Sequence, residues 1–76
     1  MPNLLDILHG IRPEVDFTSA QHFIDDGLLD SFDMVTLVAT LDKAYGISID
    51  GVEILPEHFQ SLDTIAALLR KYGVQP

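Results

Sequence analysis

The chain has 76 residues, 47% of them hydrophobic and 21% charged, a length that accommodates one compact domain and not two. Four Lys and Arg stand against 12 Asp and Glu, a formal charge of −8, so nucleic acid and anionic membrane surfaces are repelled. Cys is absent, which excludes disulfides, thiolate zinc sites, thiol nucleophiles and iron–sulfur clusters together.

The opening Met1-Pro2-Asn3-Leu4-Leu5-Asp6 lacks a basic leader region, and no apolar run approaches the ~20 residues of a membrane span. The expectation is one soluble, cytoplasmic domain over residues 1–76 without stable membrane association. A chain this short buries only ~60% of its extended-state surface, so an active-site cleft would compete with the core for the same side chains. A self-sufficient enzyme is not expected.

Leu4, Ile7, Leu8 and Ile11 complete the i, i+3, i+4, i+7 pattern of an amphipathic helix, with Asn3 placed to cap it and Pro13 to end it. From Arg12 to Leu29 no period is sustained. A connection of that length needs pinning, and Phe17, Phe23, Ile24, Leu28 and Leu29 are the apolar anchors available to it. Gly27 offers positive φ just before the next element. Over Ser31 to Tyr45 the apolar residues Met34, Leu37, Val38, Leu41 and Tyr45 again keep helical spacing. Asp42 and Lys43 read as outward-facing, and Gly46 sits where a left-handed cap closes a helix. Ile47-Ser48-Ile49-Asp50 alternates like a strand but has no partner strand, so it reads as loop. Pro56 can open a short helical turn through Glu57, His58 and Phe59. Ser61 then caps a last helix through Leu62, Ile65, Ala66 and Leu69, with Arg70 and Lys71 near its negative end and Gly73 closing it. The predicted fold is all-α: a small four-helix bundle, three main helices and one short one, with a long first loop.

The informative seam is Leu29-Asp30-Ser31-Phe32-Asp33. Either polar residue can cap the longest helix. If Asp30 accepts the first-turn N–H bonds, the Ser31 hydroxyl is left unengaged at the first helical position and open to covalent modification. A phosphate ester there meets the positive end of the helix dipole. Asp30 and Asp33 repel a free phosphate, so the position suits an externally catalysed attachment better than reversible anion binding.

Asp30-Ser31-Phe32-Asp33 followed by Met34-Val35-Thr36-Leu37-Val38 resembles the prosthetic-group motif of acyl carrier proteins and related peptidyl and aminoacyl carriers. Upstream, Phe23-Ile24-Asp25-Asp26-Gly27-Leu28-Leu29 is similar to that family's loop into the second helix. Downstream, the segment from Leu55 to Ile65 is similar to its third helix and the entry to its fourth. The resemblance runs from about Phe23 to Tyr72 and implies a non-catalytic, stand-alone carrier, monomeric when free. In such a carrier Ser31 receives a phosphopantetheine arm from coenzyme A, and the arm's thiol holds an acyl or aminoacyl group as a thioester. The implied partners are a phosphopantetheinyl transferase, an acyl or aminoacyl ligase, and downstream acyltransferases or synthases of fatty-acid, polyketide, peptide or cell-envelope chemistry. They would dock on the second helix, with Asp30, Phe32, Asp33, Met34, Val35, Thr36 and Asp42 as contacts for basic patches, an association that weakens with salt. Thr36 and Lys43 stand where family members often have carboxylates. Phe32 is bulkier than the usual leucine and could gate a groove between the second and third helices. Leu29-Asp30-Ser31-Phe32 also resembles D-alanyl carriers.

Other chemistries fit less well. Asp25, Asp26, Asp30 and Asp33 lack the alternating ligand spacing of a calcium loop. His9, His22 and His58 are scattered, so no metal site is expected. Leu29 and Asp33 occupy the glycine positions that a serine nucleophile's elbow requires. The rival reading is an unmodified helical adaptor that docks basic partners; Met34, Leu37, Val38 and Leu41 read first of all as core.

Overall fold

A computed structural model describes residues 3–76. Each helix begins at a side chain able to accept first-turn N–H bonds. Helix α1 spans Leu4–Ile11, with Asn3 Oδ1 accepting the Asp6 N–H at 2.8 Å. Helix α2 spans Ser31–Tyr45 from the cap residue Asp30, and α3 spans Leu62–Lys71 from Ser61. At the end of α2 the chain turns through Gly46, whose φ of 65° is the left-handed value that a side chain resists. Gly27, at φ 75°, makes the same kind of turn ahead of α2.

The described residues contain three α-helices and no strand. The short fourth helix expected after Pro56 is a single 3-10 turn, Pro56–His58, and a second such turn, Gly51–Glu53, precedes it. Phe59 is fully buried and Ser61 already caps α3, so the chain has no room for a further helical turn between them. Ile47 to Asp50 forms no ladder. Its alternation is real, since Ile49 is buried and Ser48 and Asp50 are exposed, but the Ile49 and Asp50 N–H groups are satisfied by side chains and not by a second strand. Asp42 Oδ1 accepts from Ile49 at 3.0 Å, and Tyr72 Oη accepts from Asp50 at 2.9 Å.

Helix α1 packs on both α2 and α3. Their facing stripes form one core: Leu4, Ile7 and Leu8; Met34, Leu37, Val38 and Leu41; Ile65, Leu68 and Leu69. The predicted anchors hold residues 12–30 against it. Phe17, Phe23 and Leu29 are buried, while Ile24 and Leu28 are half-buried. The Phe17 and Phe23 rings meet edge to face at 5.0 Å, a favoured aromatic geometry. A polar clamp adds to them. The Gln60 carbonyl accepts from Phe23 N–H at 2.7 Å, and Gln60 Oε1 accepts from Ile24 and Asp25 N–H at 3.1 and 3.3 Å. The irregular stretch thus delivers Asp30 and Ser31 to a fixed place at the end of the bundle.

Candidate functional site

At the start of α2, Asp30 is extended and Ser31 is the first helical residue. Asp30 Oδ1 accepts the Asp33 N–H at 2.8 Å, and Asp33 Oδ2 accepts the Asp30 N–H at 3.2 Å. This reciprocal pair satisfies two backbone donors that a bare helix end leaves open. Ser31 is therefore not needed as a cap. Its side chain is exposed, and its hydroxyl makes no hydrogen bond among the described residues.

Arg12, just past α1, braces this start from 21 residues away. Its Nε and Nη2 donate to Asp33 Oδ2 at 2.9 and 2.7 Å, and Nη2 lies 3.7 Å from Asp30 Oδ2. Burial pushes the Asp33 pKa up, but the hydrogen bonds from Arg12 and from the Asp30 N–H, with the Arg12 charge, outweigh it and leave the group below the usual carboxylate value. Asp33 thus stays ionised, and its charge is neutralised locally. The repulsion expected between an ester on Ser31 and two bare carboxylates is correspondingly reduced, because one of them is matched by a guanidinium. Nothing in the local sequence around Ser31 signals Arg12. The only cue is a cation directly after a helix in a chain that has just four.

The seven residues expected on a docking face divide sharply. Phe32 and Val35 are 78% and 62% exposed, Asp30 is exposed, and Thr36 is half-buried. Met34 is not on that face: at 5% exposure it belongs to the core, as its spacing with Leu37, Val38 and Leu41 requires. Asp33 is not on it either, since it is buried beneath Arg12 and Asp30. Asp42, expected to face outward, is half-buried and turned toward the Ile49 N–H. Phe32 borders a groove, but between α1 and α2 instead of the second and third helices. Ile7, Gly10, Ile11, Thr36 and Thr40 line the same space of about 530 Å³. The histidines lie apart: His9 is near the Phe17 ring, His22 is exposed, and His58 Nδ1 sits 2.7 Å from the Glu53 carbonyl oxygen.

A family model described as "phosphopantetheine attachment site" matches residues 4–71. The chain belongs to this phosphopantetheine carrier family. Its prosthetic group is covalent phosphopantetheine, and domains of this kind are typically non-catalytic. No curated protein and no solved structure matches the chain. The residues present suit the group: a carrier needs a hydroxyl that is accessible, not committed to a hydrogen bond, and rigidly mounted. The start of α2 supplies one, on a helix whose two capping bonds are made by other residues.

Proposed function

We propose that this carrier holds its phosphopantetheine arm on Ser31 Oγ and passes an acyl or aminoacyl group between partner enzymes. Ser31 Oγ would form a bond to phosphorus as the nucleotide half of coenzyme A leaves and the hydroxyl proton is lost to the transferase. When bound, the arm supplies a terminal thiol on which cargo is held as a thioester. The chain itself contributes position and no acid–base chemistry. Asp30 and Asp33 fix the first turn of α2, Arg12 braces it against α1, and Gln60 holds the incoming segment. Because the chain has no Cys, no second thiol competes for the cargo. Tethering makes each encounter with a docked enzyme partly intramolecular, so a low free concentration of cargo matters less. The partners in this reading are a phosphopantetheinyl transferase, a ligase that loads the thiol, and enzymes that take the acyl group on.

One observation carries the reading: the serine at the first position of α2 is exposed and unbonded because the aspartate before it makes the cap. The test is intact mass after incubation with coenzyme A and a broad-range phosphopantetheinyl transferase. The expected result is a gain of one arm in the wild type and none in Ser31→Ala. No gain in the wild type would instead support an unmodified adaptor.

A further inference from the structure

Helix α2 begins at two adjacent residues that are both able to cap it, Asp30 and Ser31, and aspartate and serine are nearly equal in intrinsic value as caps. With Asp30 capping, as observed, Ser31 is the first helical residue and its hydroxyl is free. With Ser31 capping, the helix would begin one residue later and Ser31 Oγ would accept a first-turn N–H. The two starts differ in whether the hydroxyl is committed.

The observed start carries an electrostatic cost that the α3 start lacks. At α3 the reciprocal pair is Ser61 and Thr64, both neutral. At α2 it is Asp30 and Asp33, two carboxylates that both lie within 3.7 Å of one nitrogen, Arg12 Nη2. The Asp33 side chain is only 10% exposed, so water does little to screen it. Arg12 is the cation that matches the pair. Lys43, Arg70 and Lys71, the other three cations of the chain, lie in the last turns of α2 and α3. Glu14, the remaining acid at the guanidinium, lies 3.8 Å from Nη1 and is exposed to water. Without Arg12, two like charges would share the cap and one of them would be buried unpaired. A start at Ser31 would instead let Asp33 turn to solvent in the first turn, where negative charge is favourable.

We infer that Arg12 is a positioning residue for arm attachment: by matching Asp30 and Asp33 it selects the helix start that leaves the Ser31 hydroxyl uncommitted. The inference rests on the carrier reading in one respect, that Ser31 is the residue modified. The choice of helix start exists without it.

A double-mutant cycle reads that choice with no partner present. In the wild type, Ser31→Ala should leave the melting temperature unchanged, because the hydroxyl holds nothing. In Arg12→Gln, which keeps a donor but not the charge, Ser31→Ala should lower it by ~4–8 °C, the loss of one N-cap in a domain of this size. A brace without selection would make Ser31→Ala equally silent in both backgrounds, and that outcome would overturn the inference. The transferase supplies the second readout. When few Arg12→Gln molecules present the hydroxyl, KM rises as that fraction falls while kcat is retained, and a rise of ~10-fold is expected. Arg12→Lys restores the charge, and Arg12→Gln/Asp33→Asn removes one of the like charges; each should return KM to within ~3-fold of wild type. Ser61→Ala, which weakens the other capped start, should not move it. A KM for Arg12→Gln equal to wild type, or one raised as much in Ser61→Ala, would also overturn the inference. Where Arg12→Gln alone fails to fold, refolding on addition of Asp33→Asn is the expected result, and failure of both to fold would count against selection. Absence of arm transfer to the wild type would remove the carrier reading and the attachment role with it, whereas the melting cycle decides the helix start by itself.

Discussion

Two serines stand at two helix starts, one position apart in role. Ser61 is the cap of α3: its Oγ accepts the Thr64 N–H at 3.2 Å, the Thr64 hydroxyl accepts the Ser61 N–H at 3.1 Å, and the side chain is buried. Ser31 follows the cap of α2, where Asp30 and Asp33 make the equivalent pair of bonds, and its own hydroxyl is exposed and unbonded. The same residue type is structural in one place and available in the other because the N–H groups of the first turn have already been claimed. A serine at a helix start becomes a candidate for modification when its neighbour does the capping.

The comparison breaks most strongly at the residue that serves both the cap and the bundle. Asp33→Ala removes one half of the α2 pair and the acceptor of the Arg12 hydrogen bonds, and losing these bonds to a buried carboxylate costs about 2 kcal/mol. Urea unfolding would show it as a lower midpoint with unchanged slope. A midpoint equal to wild type would mean that Arg12 does not brace α2. The α3 start should respond less. Ser61→Ala loses an N-cap, worth ~1 kcal/mol, or roughly 4–8 °C in melting temperature for a domain of this size. It should leave arm attachment intact, and loss of attachment in Ser61→Ala would contradict the assignment of Ser31.

Much of this contrast was legible in the residue order. Periodic apolar positions and capping residues are local signals, so Asn3, the Asp30-Ser31 pair and Ser61 mark the three helix starts and Gly46 the end of α2, while the fold decides that Asp30 and not Ser31 makes the cap. Long-range polar contacts have no period. The reach of Arg12 to Asp33 and of Gln60 to Ile24 and Asp25 depends on how the segments fold back on one another. That is why Asp33 reads from sequence as a surface carboxylate and proves to be a buried brace. Met34 is misread as a docking contact for the opposite reason: its spacing already placed it in the core stripe, and proximity to Ser31 in sequence does not turn a side chain outward. Leu68, absent from the expected α3 stripe, is buried because that helix packs over a wider arc than four positions describe.

The smallest expected effect separates the two starts by pH. At α3 the capping pair is Ser61 and Thr64, which do not titrate in the accessible range. At α2 the Asp33 pKa is held below its ordinary value in the folded chain. A carboxylate depressed on folding stabilises the native state fully above its unfolded pKa of ~3.9, and that contribution disappears as pH falls through the lower folded value. The α2 brace should thus be insensitive between neutral pH and about 5, and weaken progressively in more acidic solution. Asp33→Asn keeps a side-chain oxygen for the Asp30 N–H but carries no charge to lose. The gap in unfolding free energy between wild type and Asp33→Asn should therefore be widest near neutrality and narrow toward pH 2, while the gap between wild type and Ser61→Ala stays constant. Parallel curves for Asp33→Asn across that range would show that the ionised carboxylate contributes nothing that its neutral isostere lacks, and that Arg12 touches α2 without stabilising it.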